Sequence, residues 1–244
     1  MLGFYRPPMA SLSTIRDNLQ QVRQKIEAAA LRASRKPEEI LLIGVSKTHP
    51  AAAIREAYGA GLRHFGENRV QEWEGKLGTL ADLSATWHLI GHLQSNKAAR
   101  AAKAFHSVDS VDDWSLAQRL DRAYAEKGTD EKLRVLIEVH VGGEETKSGV
   151  SATDLPELAK HILTLSHLEF AGLMCIPPFR ENPDEVRPFF ETLRNLKEQL
   201  EARLERTLPT LSMGMSHDFE AAILEGSTEI RIGTAIFGTR PKNP

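Results

Sequence analysis

The chain has 244 residues, 41% of them hydrophobic and 26% charged, enough to bury one large core or two small ones. A formal charge of -2 excludes the broad positive field of a nucleic-acid-binding protein. No apolar stretch approaches the roughly 20 residues that cross a bilayer, and the single cysteine, Cys175, can close no internal disulfide and build no Cys-rich zinc site. A reducing, cytoplasmic compartment is expected. The first residues, broken by Arg6, Pro7 and Pro8, lack the apolar core of a secretory signal and read as a flexible tail over residues 1–12.

Ile15, Leu19, Val22 and Ile26 then recur at helical spacing, and Ser13 or Thr14 can cap that helix. Residues 40–46 form an apolar run too short for such a helix and rich in strand formers, which reads as a strand buried on both faces. From there the chain repeats a strand-like run, a polar or glycine-bearing turn and a helical stretch. Further strands are expected at 63–66, 86–90, 105–108, 134–141, 168–174, 210–213 and 229–232. Helices are expected between them, among them 110–127, stopped by Gly128, and 183–206, whose Phe189, Leu193, Leu196, Leu200 and Leu204 share a face. Eight β segments alternating with helices argue for a parallel sheet and fit a single (β/α)8 barrel over residues 13–244, with an extra N-terminal helix. A doubly wound open sheet is the competitor; in both, the active face lies at the C-terminal ends of the strands.

Lys47 follows directly on the first buried strand and so emerges at that face. Desolvation there lowers an ammonium pKa and frees an amine for Schiff-base chemistry, although a lysine that merely caps a strand fits the same position. At the other end of the chain, Ser212, Gly214, Gly233 and Thr234 fall in the turns after strands seven and eight, where barrels often hold phosphate on exposed backbone amides. Glycines also mark ordinary turns. A Schiff-base lysine facing a phosphate nest nevertheless describes a site for a phosphorylated aldehyde, of which pyridoxal 5′-phosphate is one; a phosphosugar bound by an aldolase-like lysine is another. Asn68 lies just past strand two and His88 on strand three, where it is expected to line the pocket, with His92 beyond. Lys147 is either a second anion contact or a solvated loop residue. Cys175 reads as packing, and the nine histidines lack the spacing of a metal site, so no metal is expected.

The segments Gly44-Val45-Ser46-Lys47, Phe65-Gly66-Glu67-Asn68, Trp87-His88-Leu89-Ile90-Gly91-His92-Leu93-Gln94-Ser95-Asn96-Lys97, Leu211-Ser212-Met213-Gly214-Met215-Ser216 and Arg231-Ile232-Gly233-Thr234-Ala235-Ile236-Phe237-Gly238 resemble the pyridoxal phosphate homeostasis family, also called the proline synthetase co-transcribed family. The resemblance implies a barrel like the N-terminal domain of alanine racemase and an internal aldimine between pyridoxal phosphate and Lys47. It also implies phosphate contacts from Ser212, Gly214, Gly233 and Thr234, Arg231 beside the pyridine nitrogen, and further cofactor contacts from Asn68, His88, Met174 and Met213. Departures are His140, where the family usually carries Asn, His217 before Asp218, and the pair Gly142-Gly143.

An arginine only donates, so Arg231 leaves the ring nitrogen unprotonated and the electron sink weak. A racemase on this barrel takes its second base, a tyrosine, from another domain for which too few residues remain; Tyr5 lies in the tail, and Tyr58 and Tyr124 fall in outer helices. The expected role is therefore a non-catalytic, monomeric carrier or buffer of pyridoxal phosphate that hands the cofactor to apo-enzymes. An active racemase or lyase is the alternative.

Overall fold

In the computed structural model, which describes residues 14–142 and 148–239, the strands are β1 (Leu41–Val45), β2 (His64–Glu67), β3 (Thr86–Leu89), β4 (Ser107–Val111), β5 (Leu133–Glu138), β6 (Leu168–Met174), β7 (Thr210–Met215) and β8 (Glu229–Ile232). Neighbours pair in parallel and β8 pairs with β1, so the sheet is a closed barrel in chain order and the open-sheet alternative is excluded. The helices α1 (Ile15–Arg32), α2 (Ala51–Gly59), α3 (Val70–Leu80), α4 (Ala98–Ala104), α5 (Trp114–Ala125), α6 (Leu155–Ile162), α7 (Arg187–Leu204), α8 (Phe219–Leu224) and α9 (Thr234–Phe237) cover it. The main core lies between this ring and the outward faces of the strands.

The extra helix α1 is started by Thr14, whose hydroxyl accepts from the Asp17 N–H (3.2 Å) while the Asp17 carboxylate accepts from the Thr14 N–H (3.1 Å). It buries Leu19, Val22 and Ile26 and packs on α2, α8 and α9, across the seam where β8 meets β1. The long helical segment near residue 190 opens with a tight turn, Pro183–Val186, before α7, and buries Phe190, Leu193 and Leu200 most deeply; Phe189, Leu196 and Leu204 flank that stripe. Strand five ends at Glu138, and Val139 adds only an isolated bridge to Val150.

Strand four departs from the sequence reading. It runs from Ser107 to Val111, not 105–108, and Ser110 is a strand residue whose hydroxyl donates to Gly91 O (2.7 Å). The next helix starts at Trp114, where the Asp113 carboxylate caps it by accepting from the Leu116 N–H (2.9 Å). The polar run Ser107-Val108-Asp109-Ser110 can be a strand because Asp109 is neutralised inside the barrel.

There, His88 Nδ1 lies 3.1 Å from Asp109 Oδ2 and His88 Nε2 lies 3.1 Å from His64 Nδ1. Arg134 donates to Ser107 Oγ (2.9 Å), Asp109 Oδ1 (3.3 Å), Thr210 Oγ1 (2.9 Å) and Glu229 Oε2 (2.9 Å). Burial opposes ionisation of Asp109, yet facing His88 and Arg134 hold it below its ordinary range. His88, Asp109 and Glu229 bring ligand atoms within 4.8 Å of one another; the cation between the two carboxylates is the Arg134 guanidinium. His88 belongs to this interior network. Two residues further along the same strands, Leu136, Ser212 and Arg231 repeat the inward positions of Arg134, Thr210 and Glu229 and lead to the C-terminal mouth.

Removing one partner of a buried ion pair leaves an uncompensated charge, so Arg134→Met is expected to lower unfolding stability by about 3 kcal/mol or more in urea titration; unchanged stability contradicts the network. A second expectation concerns acid. Burial, with His88 and Arg134 nearby, lowers His64 from 6.5 to about 4. Its folded pKa lies below the unfolded one, so the stability it contributes is complete above pH 6.5 and is lost as pH falls toward 4. Chemical denaturation across that window is expected to show a shallower acid loss for His64→Gln than for the parent chain, and parallel curves contradict the assignment.

Candidate functional site

At the C-terminal mouth a cavity of about 350 Å³ is lined by Val45 at the end of β1 and Lys47 beyond it, Asn68 after β2, Ile90, Gly91 and His92 after β3, Ile176 after β6, Met215 at the end of β7 with Ser216 and His217 beyond it, and Arg231, Gly233 and Thr234 at β8. Larger recesses of about 520 and 540 Å³ open at the strand starts, lined by groups such as Leu83, Ala85 and Thr86 in one and Pro37, Ile40 and Leu42 in the other. Those lie at the stabilising end of a barrel, away from the βα turns.

Alternation delivers the lysine. Ile43 and Val45 of β1 face the barrel axis, and Lys47, two residues on, enters the cavity half-buried. Asn68 continues the inward face of His64 and Gly66 on β2. Its Oδ1 is buried without a hydrogen-bond partner among the described residues. Gly91 is required beside it, because a Cβ at that position would stand 2.5 Å from the Asn68 carbonyl oxygen.

Arg231 is 3% exposed and fixed from two strands. Its Nη1 donates to Ser212 Oγ (2.6 Å) and its Nη2 to Cys175 O (2.8 Å). The side chain therefore presents a permanent positive charge whose direction is set before any ligand arrives. Cys175 contributes its carbonyl; burial pushes its thiol up to about 12, so it is no nucleophile. Asp218 is buried nearby and accepts from the Met215 N–H (2.6 Å), and burial raises its pKa against the pull of Arg231.

The glycine turns differ from one another. Gly214 has φ +99°, and a Cβ there would lie 2.6 Å from Ala222 Cβ, so it lets β7 bend against α8. Gly233 and Thr234 reach the cavity itself. The hydroxyl of Ser216 accepts from the N–H groups of Gly233 (3.2 Å) and Ala235 (3.3 Å). With both amides directed at its oxygen, the Ser216 hydroxyl keeps its own proton to donate at one edge of the cavity, a donor suited to an anion.

Of the residues singled out from sequence, Lys47, Asn68, Arg231, Gly233 and Thr234 share the cavity lining, and five do not. Ser212 lies beneath Arg231. Gly214 shapes the turn through its backbone. His88 is 2% exposed and spent on Asp109 and His64. Met174 packs on Leu136 and Ala171 inside the barrel, and Met213 packs outward into the main core. Ser216, Met215 and His217 are lining residues that the reading quoted only within motifs or as a departure, and His92, placed beyond strand three, lines the cavity too. His92 Nδ1 lies 3.4 Å from Asp112 Oδ2 at the rim. Gly142 packs under Pro178, where a Cβ would stand 2.7 Å from Pro178 Cγ, which accounts for one of the two unusual glycines. Gly143 and Lys147 lie outside the described residues. Tyr58 and Tyr124 sit on α2 and α5 and neither lines the cavity.

Residues 10–241 match the family described as alanine racemase, N-terminal domain. A pyridoxal phosphate homeostasis protein of Aquifex aeolicus is 46% identical over 225 residues, covering 92% of this chain and 97% of that protein. One from Escherichia coli K12 is 46% identical over 236 residues, covering 94% and 98%. Among solved structures, PipY of Synechococcus elongatus with pyridoxal phosphate bound is 41% identical and superposes with a TM-score of 0.81, covering 92% of this chain and all of that one, 100%. An alanine racemase of Clostridium difficile shares the fold with a TM-score of 0.68 at 15% identity, this chain covering 58% of it. The chain therefore belongs to the alanine racemase N-terminal domain family and, within it, to the pyridoxal phosphate homeostasis proteins.

Proposed function

We propose that this protein binds pyridoxal 5′-phosphate reversibly through Lys47 and acts in cofactor homeostasis as a carrier or buffer without turnover of amino acids. The observation that carries the reading is the convergence of Lys47, Arg231 and the Ser216–Gly233–Thr234 edge on one cavity of about 350 Å³. These groups fit the cofactor chemically. Lys47 offers an amine to the aldehyde, and the Ser216 hydroxyl, its oxygen held by the Gly233 and Ala235 amides, offers its proton to the phosphate. Asn68, with its buried unpartnered Oδ1, offers a polar contact to the ring substituents. Ser212 and Gly214 act from behind, by orienting Arg231 and by shaping the turn.

When bound, pyridoxal phosphate supplies an aldehyde and an electron-withdrawing ring that is strongest as a sink when its nitrogen is protonated. Arg231 carries five N–H donors and no acceptor, so it can hold no proton for that nitrogen. Its guanidinium is anchored by Ser212 and Cys175, which leaves it no freedom to swing aside. The same site that retains the cofactor thereby keeps it a poor catalyst. Recipients are apo-enzymes that require pyridoxal phosphate, met transiently in the cytoplasm by a monomeric carrier. None of the described helices is long and apolar enough to cross a membrane.

Titration with pyridoxal phosphate is expected to produce a visible absorption band in the parent chain and none in Lys47→Ala, whose affinity falls by about tenfold or more with the loss of the covalent anchor. In deuterium oxide the loaded protein is expected to leave the Cα protons of the common amino acids unexchanged in NMR spectra. Exchange at the Cα of any of them would establish the enzyme reading instead.

A further inference from the structure

The loop that carries Lys47 is gripped from outside the barrel. Lys76, on α3, donates from Nζ to Ser46 O (3.1 Å), Glu67 Oε1 (3.0 Å) and Glu72 Oε1 (2.8 Å). The Ser46 hydroxyl donates to the same Glu67 oxygen (2.7 Å), and Glu72 Oε1 also accepts from the Thr48 N–H. Both neighbours of Lys47 are therefore tied to one ammonium–carboxylate pair one turn apart on α3. Lys47 between them turns the other way, into the cavity.

Thr48 has φ +66°, in the left-handed region that a β-branched residue seldom enters. Such a conformation persists where the surroundings over-determine it, and the Glu72 carboxylate does so here. The cluster is well buried: the Lys76 side chain is 13% exposed and that of Glu67 is fully covered. Burial pushes Glu67 up, with Lys76 opposing; burial acts on Glu72 too, but Lys76 and the Thr48 N–H hold it below its ordinary value. Docking of α3 does not require these charges, since Val70, Trp73 and Leu80 already pack it on the barrel. Lys76 and Glu72 stay outside the cavity lining, so they reach a ligand only through the loop.

We propose that Lys76 and Glu72 are positioning residues that fix the backbone on both sides of Lys47 and so aim its amine at the bound ligand. This rests on the reading of Lys47 as the attachment point. Without the clamp Thr48 relaxes toward an ordinary φ, and the Lys47 Cα, which lies in the same turn, moves with it. The loss falls on bond formation to the lysine and spares the contacts made by Arg231, Ser216 and Gly233.

The test compares two ligands on the full chain. Pyridoxal 5′-phosphate can join a lysine, whereas pyridoxine 5′-phosphate, with a hydroxymethyl group in place of the aldehyde, cannot. In Lys76→Met the affinity for pyridoxal phosphate is expected to fall about tenfold or more, the worth of one charge-assisted bond, with a weakened visible band. Calorimetric affinity for pyridoxine phosphate is expected to stay within about twofold of the parent value, whatever happens to the melting temperature. Lys76→Arg is expected to recover part of the band. Glu72→Gln, which keeps the shape and removes the charge, repeats the comparison if Lys76→Met does not fold. Equal losses for both ligands, or no loss for either, overturn the proposal. A parent chain that shows no band at all overturns the Lys47 reading itself, and the proposal with it.

Discussion

A closed parallel barrel sends every second side chain of each strand inward, and the interior has room for few of them. Most of what is distinctive in this molecule follows from how the inward positions are filled. On the half nearer the strand starts they are polar: His64, His88, Asp109, Arg134 and Glu229 form one network around a single guanidinium. Nearer the mouth come Leu136 of β5 and Met174 of β6, and then the residues that open into the cavity. The polar network is thus sealed beneath the mouth, and the chemistry above it is left to Lys47, Asn68 and Arg231.

Arg231 links structure to the proposed function. It is the inward residue of β8 next after Glu229, it is held by Ser212 of β7 and by the carbonyl of Cys175 after β6, and it cannot lose its proton. A carboxylate in its place would favour a protonated ring nitrogen and carbanion chemistry; a fixed guanidinium disfavours both. In the proposed account Lys47 retains the cofactor, while Arg231, with neither Tyr58 nor Tyr124 on the cavity, limits its chemistry toward amino acids. The outer clamp of Lys76 and Glu72 adds the complementary element, since a carrier that bonds to its cargo needs its amine aimed before the cargo arrives.

The alternation of strands and helices and the place of Lys47 at the strand ends were legible from periodicity, which left the barrel and the open sheet both standing; the family resemblance favoured the barrel, and the pairing of β8 with β1 decides for it. Strand four was misplaced because Asp109 reads as a turn residue until His88 and Arg134, distant in sequence, are seen to face it. The place of Ser216 on the cavity lining was missed at a single backbone feature. Gly214, at φ +99°, sits where the pairing of β7 with β8 shifts register between Ser212 and Met215, so simple alternation fails just before the cavity. Beyond that kink the hydroxyl that meets the Gly233 and Ala235 amides is that of Ser216. His88 was correctly expected to point inward, but the inward space at its level is filled by side chains rather than by the cavity.

The account stands on Lys47 as the covalent anchor. Borohydride reduction of the protein loaded with pyridoxal phosphate, followed by proteolysis and mass spectrometry, tests it most directly. The account predicts the reduced cofactor on the peptide containing Lys47 and on no other lysine in appreciable amount. Its mass on Lys147, or on no lysine at all, would contradict the account.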